Sequence, residues 1–408
     1  MIYIIKNLLL PYKGLPKEIY VLFIGKIVNC IGGFVHPLMS LILVQKIGLS
    51  PAQTGLFVTI LAACQAPCII LGGKLADSIG RRKVIIVFQL LGACTLVICG
   101  IIPTSILTAK IMILSSCLYS ISTPSYDALN ADLTNKSNRK SSYSLLYMGV
   151  NIGFAIGPII GGLLYEKYLP AIFIGDAITT LLSLGLFIKF IKDKNIKQVQ
   201  ENKEVDELEE EVKVSTLKIF LQRPILILFP LVMFLYQFSY GQWGFAVPIQ
   251  MGEIFGANGA KLYGLLGGFN GIIVILFTPI LTSITKKHNI INVMSLGGIM
   301  YAICYLIIGL ATNMIFFFAG IFALTIGEVL IAINSATFIA NNTPSSHRGR
   351  VSSILPLISG AGYSVGPMVM GALMDYSGNF IAWMIVTLVS VIGSILMVSI
   401  NKLSKLNI

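Results

Sequence analysis

The sequence predicts an all-α integral membrane protein with twelve transmembrane helices in two pseudo-symmetric bundles of six. Three observations carry this. Of 408 residues, 56% are hydrophobic and only 11% charged, with a mean hydropathy of +0.86, whereas soluble domains carry about 25% charged residues. The apolar residues gather into twelve runs of spanning length. A stretch of the first half also recurs in the second at a constant spacing of 209 residues.

The runs fall at 19–44, 51–75, 84–102, 106–130, 142–165 and 169–190, and again at 225–252, 259–284, 290–311, 314–339, 349–375 and 379–400. Each holds the roughly 20 residues that cross a bilayer core as a helix. Hydrocarbon offers no hydrogen bonds to a strand edge, so each run must satisfy its backbone internally and coil into a helix.

The net charge of +12 follows the topology of these runs. With the amino terminus inside, 24 of the 29 Lys and Arg fall in cytoplasmic segments. Lys46, Lys110, Lys167 and Lys261 fall on the outer side, and Lys26 lies within the first run. That bias places both termini in the cytoplasm of a protein of the cell (inner) membrane. The basic residues form no aromatic-interleaved stripe, which excludes a nucleic-acid partner. Residues up to Glu18 hold Lys6, Lys13 and Lys17 without a small-residue cleavage site, and read as a cytoplasmic lead-in. Seven cysteines, all inside apolar runs, make no disulfide framework. Cys64 and Cys68 lie one turn apart with no His or further Cys nearby, so neither a metal site nor a cofactor is expected.

The chain divides into an amino-terminal bundle (1–190), a charged cytoplasmic linker (191–222) and a carboxy-terminal bundle (223–408). The linker holds eight of the 17 acids, between Asp193 and Glu211, with lysines on both sides. Such composition suits a solvated connection. The repeat pairs Ala131–Gly162 with Ala340–Gly371. It superposes Thr134 on Thr343, Arg139 on Arg348, Gly157-Pro158 on Gly366-Pro367 and Gly162 on Gly371. Two halves duplicated in parallel place a ligand site at their interface, near the bilayer midplane.

After the second run stands Gly72-Gly73-Lys74-Leu75-Ala76-Asp77-Ser78-Ile79-Gly80-Arg81-Arg82-Lys83. This resembles the loop between helices 2 and 3 of the major facilitator superfamily, G-x-L-a-D-x-x-G-r-[RK]-[RK]. A generic basic loop would explain the arginines but not the spacing of glycine and acid. The resemblance implies a conformational gate built on Gly73, Asp77, Gly80 and Arg81, with Asp77 facing the positive amino-terminal end of helix 11. Arg81 needs an acid on a neighbouring helix end, and Asp132 is the candidate. The second half keeps Lys286 and Lys287 but lacks the acid.

In the fifth run, Gly153, Gly157 and Gly161 share a helix face beside Pro158 and Gly162, which lets backbones approach closely. This resembles the G-x-x-x-G-P-x-x-G-G signature of the superfamily's exporter branches. Gly33-Phe34-Val35-His36-Pro37-Leu38 resembles the helix 1 motif of its twelve-helix drug/proton antiporters.

Three acids remain at membrane depth, where an ionised group costs at least about 2.5 kcal/mol on insertion scales. Glu328 lies mid-run in Leu324-Thr325-Ile326-Gly327-Glu328-Val329, with no basic residue in that run, and resembles the GE segment of multidrug/proton antiporters. It is the first candidate for proton coupling, against a hydrogen-bonded structural role. Asp127 is the second candidate. It matches Lys26 in depth, and the resemblance lines a central cavity with helices 1, 4, 7 and 10, so the two can form an ion pair, whether coupling relay or static. Asp176, on a helix peripheral in the family, reads as structural. Further cavity candidates are Lys26, His36, Tyr119, Tyr126, Tyr147, Asn151, Tyr236, Gln237, Tyr240 and Trp243. Aromatics with scattered amides suit amphipathic ligands, including cations; aromatic packing is the alternative for each.

The resemblance implies a secondary active transporter: proton-coupled efflux of small amphipathic compounds or drugs by alternating access, acting as a monomer with protons and a small-molecule substrate as partners. The alternative is a proton-coupled symporter, or an exporter of a sugar, metabolite or lipid-linked compound. No His/Asp/Cys constellation at a water interface and no Walker loop point to an enzyme.

Overall fold

The computed structural model describes residues 12–135, 138–192, 225–342 and 348–406, and everything described is helix, turn or connecting segment. Of the expected linker only residues 191 and 192 are described. Thr343 also lies outside the described residues, as does the side chain of Arg348.

Among the described residues ten helical spans are long and apolar enough to cross a membrane, and dividing the two longest at Gly256–Asn258 and at Gly378 gives twelve segments. In the first half they are α1 (Lys17–Lys46), α2 (Pro51–Ile79), α3 (Arg81–Ile101), α4 (Ile106–Asp132), α5 (Arg139–Tyr165) and α6 (Leu169–Phe190). In the second half they are α7 (Ile225–Phe255), α8 (Gly259–Thr285), α9 (Ile290–Gly309) and α10 (Met314–Asn342), followed by α11 (348–377) and α12 (379–406). A 3-10 turn at Gly256–Asn258 separates α7 from α8. Gly378, at φ 78°, separates α11 from α12, a backbone conformation that favours glycine.

α1 is not one continuous helix. It runs from Lys17 to Ile31, breaks at Gly32–Phe34, resumes over Val35–Leu41 and ends in a π turn at Ile42–Lys46. Pro37 lacks the N–H that would close the preceding turn, and the glycine pair removes the steric bias toward helix. Gly32 has a second reason to be glycine: a Cβ there would lie 1.8 Å from the Thr179 hydroxyl oxygen on α6.

The contacts group the chain into two units. The first comprises residues 1–42 and 60–206, the second residues 43–59 and 207–408. The core of the first is a hydrophobic cluster of Ile19 and Leu22 (α1), Ile85 (α3), Leu129 (α4), Leu145 (α5) and Leu184 and Phe187 (α6). A close crossing joins α5 to α1, where a Cβ on Gly153 would lie 2.3 Å from the Cys30 Cβ and one on Gly157 would lie 2.8 Å from the Cys30 carbonyl oxygen. The glycine spacing of four thus serves a backbone-to-backbone crossing. Gly161 continues it against Phe34 and Leu38, and Pro158 and Gly162 are buried in the same helix.

The second unit is joined by polar contacts, as lipid-embedded bundles commonly are. Ser390 donates to Ser239 at 2.9 Å, Ser295 donates to the Ser394 carbonyl at 3.0 Å, and Trp383 stacks on Tyr305 at 5.3 Å. Trp383 also donates its indole N–H to Gln250. Within this unit Asp375 Oδ2 accepts from the Ser50 hydroxyl at 2.6 Å and the Ala52 amide at 3.1 Å, capping the first turn of α2.

Candidate functional site

In the first unit, the loop between α2 and α3 is built by helix-end electrostatics. Gly80 turns the chain at φ 92°. Arg81, the first residue of α3, forms an ion pair with Asp132, the last residue of α4. A cation at a helix start and an acid at a helix end each oppose the local dipole, and pairing them offsets both. Arg82 donates to the carbonyls of Ile191 at 2.7 Å and Ile188 at 3.3 Å, satisfying the end of α6. Asp77 is exposed and makes no hydrogen bond or ion pair among the described residues. The two glycines at the end of α2 differ in their surroundings. A Cβ on Gly72 would lie 2.0 Å from the Ile121 carbonyl oxygen, while nothing lies within 4 Å of one on Gly73. Helix rotation points the first glycine at α4 and the second away from it.

A cavity of about 590 Å³ opens within the first unit. Lys26 and His36 on α1, Tyr119, Tyr126 and Asp127 on α4, and Tyr147 on α5 line it. Asn151 does not: its amide donates to the Tyr147 carbonyl one turn back at 2.8 Å. Lys26 and Asp127 share the cavity without the expected contact ion pair, and the Lys26 ammonium instead stands 5.8 Å from the centre of the Tyr126 ring. Asp176 also lines the cavity, so its helix is not merely peripheral, and its Oδ2 accepts the Val35 amide at 3.3 Å. The carboxylate thereby satisfies a backbone donor exposed by the break in α1. Two amides complete the polar wall: Asn29 donates to Thr180 at 2.9 Å and Gln89 to Ser122 at 2.7 Å.

A second cavity, of about 330 Å³, lies within the second unit, and Glu328, Gln237, Tyr240 and Tyr301 line it. Glu328 is held from two helices. Tyr240 on α7 donates to Oε1 at 3.0 Å, and Asn270 on α8 donates to Oε2 at 3.3 Å. Asn270 is itself steered by a 2.8 Å bond to Thr325, and Tyr301 on α9 packs face-on to Tyr240 at 6.1 Å. Just before Glu328, a Cβ on Gly327 would lie 2.6 Å from the Gly297 carbonyl oxygen, and one on Gly297 would lie 2.9 Å from that of Gly327. This glycine crossing fixes the depth and rotation of α10 against α9, and with them the carboxylate. Among the described residues that line it there is no Lys, Arg or His.

Two expected cavity residues of α7 lie elsewhere. Tyr236 is 1% exposed and packs its ring against Gly298 and Gly393, with its hydroxyl 3.5 Å from Ser394. Trp243 packs against Tyr263 at 5.1 Å, and the Tyr263 hydroxyl donates to its carbonyl. Met233, Gln237 and Tyr240, at spacings of four and three, form the cavity-facing stripe. Tyr236 and Trp243, seven apart, form another. Sequence reasoning passed over Asn270; an amide within an otherwise apolar run was its signal.

Largely apolar cavities with polar and charged side chains set in their walls, between membrane-length helices of an internally duplicated chain, fit a multi-pass membrane transporter. The chain matches the Major Facilitator Superfamily profile over residues 22–354 and 231–402, and it belongs to that superfamily. It is similar to the uncharacterized MFS-type transporter YttB of Bacillus subtilis (strain 168), with 24% identity over 89% of this chain and 90% of the relative. It is likewise similar to a Na(+), Li(+), K(+)/H(+) antiporter of Planococcus maritimus (21%; 82% and 83%) and to the multidrug resistance protein MdtH of Yersinia enterocolitica (22%; 90% and 86%). Among solved structures, a POT family transporter in complex with a thioalcohol conjugated peptide superposes with a TM-score of 0.77 at 14% identity, covering 96% of this chain and 97% of that one. The nucleoside transporter NupG superposes at 0.76 and 13%, covering 95% and 100%. At such identities the structures share the fold alone.

Proposed function

We propose that this transporter is a proton-coupled exporter of small amphipathic compounds, with Glu328 as the proton carrier. The supporting observation is the surroundings of that carboxyl. It lines a cavity, it is oriented by Tyr240 and Asn270, and among the described residues no basic side chain stands in the same wall. Its charge is therefore neutralised either by a proton or by a cation that enters with the cargo. Asp127 differs in having a cation, Lys26, in the wall of the same cavity. Protonation of Glu328 favours one orientation of the transport cycle and cargo binding favours its release. Each ligand shifts the balance only by its difference in affinity for the two states. The antiporter and multidrug relatives agree with this direction of transport, and the basic bias of the loops supports cytoplasmic termini.

The test is reconstitution into vesicles with an imposed pH gradient and a panel of amphipathic dyes and metabolites. The wild-type protein accumulates a dye against its gradient. Glu328→Gln retains dye exchange between equal compartments but loses the response to the pH gradient. Unchanged gradient-driven accumulation by that variant overturns the assignment.

A further inference from the structure

The cavity of the first unit holds one cation and one acid that are not paired with each other. Lys26 and Asp127 both line it and both side chains are exposed to it, yet no salt bridge joins them. Among the described residues neither side-chain charge makes a hydrogen bond, and the ammonium stands 5.8 Å from the centre of the Tyr126 ring. Of the other ionisable groups in the wall, Asp176 is engaged by the Val35 amide at the break in α1, and His36 lies one residue beyond that amide. Asn29 and Gln89 donate to Thr180 and Ser122. Lys26 and Asp127 are thus the two formal charges left free to meet a ligand.

Charges at membrane depth are costly unless something compensates them. A ligand carrying only a cation meets Asp127 favourably but is repelled by Lys26, and a ligand carrying only an anion meets the reverse. A wall with both signs held apart rejects each single-charge class and accepts a molecule bearing both. The ring of Tyr126 precedes Asp127 on the same helix and stands 5.8 Å from the Lys26 ammonium, and Tyr119 lines the same cavity about two turns earlier on that helix. We propose that this cavity binds zwitterionic aromatic compounds, with an anionic group on Lys26, an ammonium on Asp127 and the aromatic body against Tyr119 and Tyr126. This rests on the exporter reading above and narrows its amphipathic cargo to one charge pattern.

Three fluorescent probes with one aromatic body test it: Nε-dansyl-lysine (a zwitterion), its methyl ester (a cation) and its Nα-acetyl derivative (an anion). Binding is measured by dansyl fluorescence on the purified full-length protein in detergent, without any gradient, so the result is independent of Glu328 and proton coupling. The zwitterion is expected to bind at least tenfold more tightly than either single-charge probe. Lys26→Gln should bring the ester to within about twofold of the zwitterion, and Asp127→Asn should do the same for the acetyl derivative. The wild-type order alone decides the matter should a variant fail to fold. Equal affinities, a preference for the ester or the acetyl derivative, absence of binding by all three, or variants that shift all three probes alike would overturn the proposal. A failed gradient experiment with Glu328→Gln leaves this binding order intact, so the two readings fail separately.

Discussion

The Tyr240 hydroxyl donates to Oε1 of Glu328 at 3.0 Å, while Asn270 donates to the other oxygen at 3.3 Å. Donors from α7 and α8 therefore meet on one carboxyl of α10, so three helices share a single polar contact. A hydrogen bond to a charged group contributes about 1.5–3 kcal/mol net, and 1.4 kcal/mol is tenfold in rate. Tyr240→Phe, which keeps the ring against Tyr301, is expected to lower the initial rate of gradient-driven transport about tenfold at unchanged expression. Asn270→Ala should act in the same direction. Wild-type rates in both variants would reduce these contacts to packing.

The pair formed by Arg81 and Asp132 ties the start of α3 to the end of α4, with relative side-chain exposures of 28% and 13%. A partly exposed pair is worth about 0.5–1 kcal/mol. A double-mutant cycle of Arg81→Ala and Asp132→Ala, followed by thermal unfolding in detergent, should show a coupling of that size. The coupling should shrink as salt is raised, because partly exposed charges are screened. Strict additivity of the two substitutions would show that the pair contributes nothing.

The helices and their duplication were legible in the sequence because lipid imposes a simple rule: spanning length, apolarity and internal hydrogen bonding coincide. Glu328 was legible for the same reason, as an acid where acids are costly. Its partners were not. Asn270 lies 58 residues away, and only the packing of α8 against α10 brings them together. The aromatic run of α7 shows the same limit. Tyr240 and Tyr236 are alike in type and one turn apart, yet one lines a cavity and the other fills the core against Gly298. That difference is a helix rotation set by neighbouring helices. Lys26 and Asp127 line one cavity, but a match of depth along two helices does not fix the distance between their side chains.

Asp375 receives the Ser50 hydroxyl and the Ala52 amide, so it acts as a capping acceptor for α2 supplied from α11. Loss of an N-terminal capping acceptor costs about 1 kcal/mol. Asp375→Ala should therefore lower the detergent Tm measurably. Asp375→Asn, whose amide oxygen still accepts, should recover most of the loss. Equal losses in both variants would mean that the charge, and not the capping oxygen, matters.

Two adjacent glycines give the sharpest test of the packing. In the motif Gly72-Gly73 both lack a side chain, but their surroundings differ. A methyl group on Gly72 would run into the Ile121 carbonyl oxygen at 2.0 Å, and that oxygen belongs to a helix backbone that cannot rotate away. A methyl group on Gly73 meets nothing within 4 Å. Neither residue has a positive φ, so conformational freedom does not distinguish them. Overpacking a tight contact costs about 1–3 kcal/mol, whereas glycine to alanine inside an exposed helix position gains up to about 1 kcal/mol in helix propensity. Gly72→Ala should therefore destabilise the purified protein and Gly73→Ala should leave it unchanged or more stable, read as opposite shifts in Tm. Should Gly73→Ala nevertheless impair transport while raising Tm, its role lies in the gate and not in the resting packing. Should Gly72→Ala be neutral in both assays, the close crossing of α2 and α4 is wrong.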